Sequence, residues 1–131
     1  MSTMRAMVVD DSRAMRTLLK GLLTSNGIQV VAEAASGTQA LERLRAEGTV
    51  DLVLVDWNMP EMNGLEFIKA VRAEPKWRSM SLMMVTTESE NNQVVRALAA
   101  GAHEYVIKPF TSEAMIEKLA LLGLVPTGAT T

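Results

Sequence analysis

Residues 52–65 read LVLVDWNMPEMNGL. Four apolar residues, Leu52 to Val55, run without alternation into Asp56, and Pro60 and Gly64 then turn the chain away. An unbroken apolar strand implies burial on both faces, as in a parallel sheet covered by helices. A carboxylate at the mouth of such a strand is costly unless something uses it.

The same grammar recurs along the chain. Residues 6–9 form a first apolar run, ending in Asp10 and Asp11. Ser12 is placed to cap a helix carrying Met15, Leu18, Leu19, Leu22 and Leu23 on one stripe, stopped by Asn26-Gly27. Residues 28–32 read as a second strand, 36–47 as a helix with Ala40, Leu41 and Leu44 inward, and Leu52–Val55 as the third strand. Asn63 or Gly64 begins a helix through Leu65, Ile68 and Val71 that stops near Pro75. Residues 82–85 are a fourth strand, 89–100 a helix ending at Gly101, and 105–107 a fifth strand. Thr111 or Ser112 caps a last helix holding Met115, Leu119 and Leu122. Five strand–helix units without a linker predict an α/β domain over residues 1–123, with a doubly wound, five-stranded parallel sheet of the flavodoxin-like kind. Residues 124–131 are expected to be a flexible tail.

Composition narrows the function. The chain has 131 residues, enough for one domain with a real core, and 48% of them are hydrophobic. Thirteen basic against fifteen acidic residues give a net charge of −2, which predicts neither a nucleic-acid nor an anionic-membrane partner. The absence of cysteine excludes disulfides and thiolate metal sites. Apolar runs are too short for a membrane span or a signal-peptide core, so the expected compartment is the cytoplasm. The expected state is a monomer. Ten methionines are read as core fillers. His103, the single histidine, is read as an ordinary turn residue, and Trp77 as cover for a core edge.

In open parallel sheets ligands bind beyond the carboxyl ends of the strands. Those ends carry Asp10 and Asp11, Asp56, Thr86 with Thr87, and Lys108, whereas the second strand ends in Glu33 alone. That asymmetry fits a strand order 2-1-3-4-5 with the second strand at an edge. The central mouth then collects Asp10, Asp11, Asp56, Thr86 and Lys108. Three carboxylates so close raise one another's pKa and suit a hard divalent cation, commonly Mg²⁺. Carboxylate, cation, lysine and hydroxyl together are equipment for phosphoryl transfer. One carboxylate can itself be the nucleophile, and Asp56, central in the mouth, is the best candidate, leaving Asp10 and Asp11 to hold the metal. Taken singly, each of these residues is as well read as a helix cap or a turn residue; their coincidence at the same strand ends carries the functional reading.

The stretches VVDDS (8–12), LVDWNMPEMNG (54–64), TTES (86–89) and YVIKPF (105–110) resemble the receiver domain of two-component response regulators, and most of all its single-domain chemotaxis members. The resemblance implies that Asp56 is the phosphoacceptor and that Asp10, Asp11, Asp56 and the Asn58 backbone carbonyl hold Mg²⁺. It implies that Thr86 hydrogen-bonds the phosphoryl group, that Lys108 pairs with it, and that the Lys108-Pro109 bond is cis. Tyr105 matches the family's switch aromatic, turning inward when Thr86 moves. Asn58 and Glu88 match positions that tune dephosphorylation, and Trp57 would lie at the site's edge. The phosphoryl donor would be a histidine kinase or phosphotransfer protein, and the output a downstream effector such as a flagellar motor switch protein, because no further domain is expected after Gly123. The chain would then catalyse only its own phosphorylation and dephosphorylation. A phosphorelay intermediate or phosphate sink outside chemotaxis would carry the same motifs. An aspartyl-nucleophile phosphatase needs a second Asp where Asn58 stands, and a nucleotide-binding flavodoxin-like protein needs a Gly-rich loop where DDSRAM stands.

Overall fold

Leu52–Val55 is the middle strand, β3, of a five-stranded parallel sheet. The structure is a computed structural model and describes residues 4–48, 50–87 and 91–124. In chain order its elements are β1 (Arg5–Val9), α1 (Arg13–Ser25), β2 (Gln29–Ala34), α2 (Gly37–Glu47), β3, α3 (Gly64–Ala73), β4 (Ser81–Thr86), α4 (Asn91–Ala100), β5 (Glu104–Ile107) and α5 (Ser112–Leu121). A short 3-10 turn, Pro75–Trp77, follows α3. The strand order is β2-β1-β3-β4-β5, the order expected from the polar strand ends.

The unbroken apolar runs are explained by two cores. Side chains alternate across a strand, so every second residue serves the opposite face. Met7, Val9, Val53, Val55, Leu82 and Met84 face α2, α3 and α4, where Ala40, Leu44, Phe67, Ile68, Val71 and Ala97 cover them. Ala6, Val8, Leu52, Leu54, Met83 and Val85 face α1 and α5, covered by Leu19, Leu23, Met115 and Leu119. Met7, Met80, Met83, Met84 and Met115 are buried core residues, as read from sequence.

Caps are satisfied as expected. The side chains of Ser12, Ser36 and Thr111 accept from the backbone N–H of Met15, Gln39 and Ala114. Asn63, rather than Gly64, caps α3 and forms a reciprocal capping box with Glu66. Other expectations shift. β2 runs to Ala34 because it follows β1 to its end, pairing Val8 with Glu33 and Val9 with Ala34, while Ile28 is buried just outside the strand. Leu18, counted in the apolar stripe, is 54% exposed, and Leu19 and Leu23 carry the burial instead. The expected start of the fourth helix at Ser89 lies outside the described residues, as do residues 125–131 of the expected tail. Trp77 is buried at the edge of the first core, and the Lys108-Pro109 bond is cis. No helix among the described residues is long and apolar enough to cross a membrane.

The end of the sheet away from the strand mouths is tied by Arg72 of α3. Its Nε donates to the Gly101 carbonyl at 2.9 Å, and its Nη1 to the carbonyls of Trp77 and Arg78, both at 3.2 Å. Its Nη2 lies 3.2 Å from His103 Nδ1, which also accepts from the Leu82 N–H at 3.2 Å. Two donors converging on Nδ1 require it to be unprotonated, so the neutral ring carries its proton on Nε2. Desolvation, with the Arg72 charge, accordingly pushes the His103 pKa down. Gly101, at φ +122°, admits this arrangement, since a Cβ there would meet Arg72 Cγ at 2.5 Å. Replacing Arg72 by Ala removes a donor from three carbonyls, of which that of Trp77 keeps the Met80 N–H, and we expect a loss of about 2–3 kcal/mol in urea unfolding at neutral pH. A loss below about 0.5 kcal/mol would show the tie to be dispensable.

Candidate functional site

Four of the five strand ends deliver groups to a common mouth. Asp10 follows β1, and its N–H donates to the Ala34 carbonyl at 3.0 Å, which fixes the turn to the neighbouring strand. Asp56 follows β3, held by its N–H on the Val9 carbonyl at 2.9 Å. Asp10 and Asp56 are 1% and 7% exposed, whereas Asp11 is open to solvent. The three carboxylates each bring an oxygen within 4.8 Å of the others. Thr86 is buried at the end of β4. The Lys108 N–H donates to the Thr86 carbonyl at 2.7 Å, which continues the β4–β5 pairing to the edge of the mouth.

Lys108 then sets the electrostatics. Its Nζ lies 2.8 Å from Asp10 Oδ2 and 3.6 Å from Asp56 Oδ1. Asp10 Oδ1 accepts from the Ser12 N–H at 2.9 Å, so both oxygens of Asp10 have protein donors. Asp56 is served less well. Burial pushes its pKa up to about 6; Lys108 opposes the rise, and Asp10 and Asp11 add to it. For Asp56, desolvation thus outweighs the mutual repulsion expected from the sequence. At neutral pH most of the Asp56 carboxyl is ionised yet more basic than an ordinary carboxylate, a combination that suits a nucleophile.

The loop after Asp56 is folded tightly against it. The Gly64 N–H donates to the Trp57 carbonyl at 2.8 Å, and a Cβ at Gly64 would meet the Asp56 carbonyl at 2.6 Å. Trp57 is buried beside the mouth, with the Arg96 guanidinium 6.0 Å from its ring centroid. Asn58 is exposed in the loop. Tyr105 is half-buried on β5, opposite Met84 and two positions short of the Thr86 level. Its ring packs on the first core with Lys118 Nζ 4.8 Å from its centroid. Glu88 lies outside the described residues. Sequence reasoning missed Arg96 and Lys118, whose ring contacts join elements far apart in the chain and leave no local signal.

This donor set, three carboxylates and no nitrogen or sulfur ligand, fits a hard divalent cation. Residues 6–120 match the response regulator receiver domain family, and the chain belongs to that family. Among its relatives, a chemotaxis protein CheY homolog of Campylobacter jejuni is 47% identical over 116 residues, 88% of this chain and 89% of that protein. CheY1 of Helicobacter pylori is 42% identical over 119 residues, 91% and 96% of the two chains. The solved structure of Vibrio cholerae CheY4 superposes with a TM-score of 0.84 at 32% identity, covering 92% of this chain and 98% of that one. The fold and site thus define a receiver domain of the CheY chemotaxis type, a signalling protein rather than a metabolic enzyme.

The raised Asp56 pKa has a consequence for stability. The carboxyl ionises near 3.8 ordinarily and at about 6 in the fold, so the fold holds this proton more tightly than the unfolded chain does. Stability is therefore unaffected below that window and lost as pH rises through it. Asp56→Asn should stabilise the metal-free protein by about 1–2 kcal/mol at neutral pH, an amount reduced by the solvent open to the mouth, and by little at about pH 4. Urea unfolding across that range checks this; a gain independent of pH would contradict the raised pKa.

Proposed function

We propose that the chain is a cytoplasmic, monomeric receiver that takes a phosphoryl group onto Asp56 from the phosphohistidine of a histidine kinase or phosphotransfer protein. The observation that carries this reading is the convergence of Asp10, Asp11 and Asp56 around one lysine, with the basicity of Asp56 raised. An Asp56 carboxylate oxygen attacks phosphorus, the phosphorus–nitrogen bond breaks, and the imidazole departs with its electron pair. Asp10, Asp11, Asp56 and the Asn58 carbonyl would hold Mg²⁺, which neutralises phosphoryl oxygens when bound. Lys108 moves its charge from Asp10 and Asp56 to the phosphoryl group, and the Thr86 hydroxyl donates to it.

The switch follows from Thr86. Its movement toward the phosphoryl group vacates space beside β4, and Tyr105 turns into it. The face of α4, β5 and α5 is thereby reshaped. Val95, Leu98 and Leu121 are exposed apolar residues on α4 and α5, which supports a protein partner there, such as a flagellar motor switch component. Asn58 and Glu88 set the access of the water that ends the signal.

Incubation with Mg²⁺ and acetyl phosphate, followed by intact-mass spectrometry, tests the site. We expect one Mg²⁺-dependent phosphoryl adduct on the wild type and none on Asp56→Asn. Equal labelling of that variant would move the acceptor elsewhere, and repeated turnover of a small phosphate ester would favour a hydrolase.

A further inference from the structure

Glu33, at the end of the edge strand β2, is the one polar strand end that the phosphoryl-transfer reading leaves without a role. Its carboxylate does not join the acidic cluster of Asp10, Asp11 and Asp56. It accepts instead from Arg16 Nε at 2.7 Å through Oε1, and from Lys20 Nζ through Oε2. Lys20 and then Arg16 hold its carboxyl below the usual carboxylate range. The Arg16 side chain, on the first turn of α1, is largely buried, and its Nη1 donates to the backbone carbonyl of Asp10 at 2.7 Å.

That carbonyl belongs to the peptide unit joining Asp10 to Asp11. Peptide planarity couples the carbonyl's direction to the placement of the Asp11 Cα. Ser12 grips the Asp10 side chain, Ala34 takes its N–H, and Arg16 takes its carbonyl. A guanidinium is a planar fork, so anchoring one nitrogen on Glu33 aims the other. Glu33 also balances the Arg16 charge, which would otherwise stand unpaired near a cation site.

We infer that Arg16 and Glu33 are a positioning pair that sets the Asp10–Asp11 peptide for Mg²⁺ binding, Glu33 acting through Arg16. This rests on the reading that Asp10 and Asp11 hold the metal. The probe is Mg²⁺ alone, titrated against Trp57 fluorescence and by calorimetry, with thermal unfolding and Asp11 amide shifts recorded on the metal-free protein. Arg16→Ala should weaken Mg²⁺ binding about 10-fold and shift the Asp11 amide resonance, and Arg16→Lys, which cannot span both oxygens, should restore little. Glu33→Ala, at a half-exposed side chain that folding tolerates, should weaken binding in the same direction, and the double variant should be no worse than Arg16→Ala.

Wild-type Mg²⁺ affinity in both Arg16→Ala and Glu33→Ala would overturn the pair, even if unfolding temperatures fell. Additive losses in the double variant would overturn the claim that Glu33 acts through Arg16. Asp11→Asn separates this failure from that of the underlying reading. It should lose Mg²⁺ affinity whatever Arg16 does, and wild-type affinity in Asp11→Asn would overturn the metal site itself.

Discussion

The arrangement of the site depends on one ammonium group. Asp10 and Asp56 end adjacent buried strands, and nothing about the sheet itself favours two carboxylates there. Lys108 Nζ lies within reach of both, 2.8 Å from Asp10 and 3.6 Å from Asp56. The lysine follows β5, which is separated from β1 by β4 and β3. Strands about 4.8 Å apart put that span beyond a straight lysine side chain, so the backbone has to contribute. The Lys108 N–H on the Thr86 carbonyl holds the residue beside the end of β4, from where its side chain reaches across the mouth. The shorter contact goes to Asp10, while burial, only partly opposed by Lys108, raises Asp56 to about 6. Contact and burial together thus mark Asp10 as a structural anchor and Asp56 as a candidate nucleophile.

The fold was legible because the sheet buries both faces. LVLV at 52–55 puts Leu52 and Leu54 into one core and Val53 and Val55 into the other, so no position tolerates a polar residue until the mouth. Polar residues therefore mark the ends of strands and, with them, the site. The same rule failed at the edge. β2 is flanked on one side only, so Glu33 is admitted within the strand, and the boundary read at residue 32 fell two residues short of Ala34. Leu18 misled for a related reason: its spacing placed it on the stripe of α1, but Leu19 and Leu23 fill the core and leave it to solvent.

The acidic cluster was legible as a set of residues, but not as a set of unequal residues. Proximity alone predicts that carboxylates raise one another. Which one rises depends on burial and on the direction of the Lys108 side chain, neither of which is written in spacing. The same limit applies to Arg16, Arg96, Lys118 and Arg72. Each is a cation whose value lies in a contact across elements: with the Asp10 carbonyl, the Trp57 ring, the Tyr105 ring and the Gly101 carbonyl. A basic residue on a helix is by default a solvated one, so sequence offers no reason to single these out.

The two ends of the sheet are built to different purposes. At the mouth, charged groups are held by contacts that a change in charge can rearrange. At the opposite end Arg72 gathers the carbonyls of Gly101, Trp77 and Arg78 with the His103 ring, and His103 is bound in turn to the Leu82 backbone. Gly101 directly follows α4, so this tie pins that helix at its C-terminal end. Were Thr86 to move as proposed, α4 would be held at the end far from the mouth by the Arg72 contacts. A helix held at one end changes its angle at less cost than it slides as a whole, because sliding would break the carbonyl contacts of Arg72 as well. The Arg72 tie and the proposed charge rearrangement at Lys108 would then be complementary.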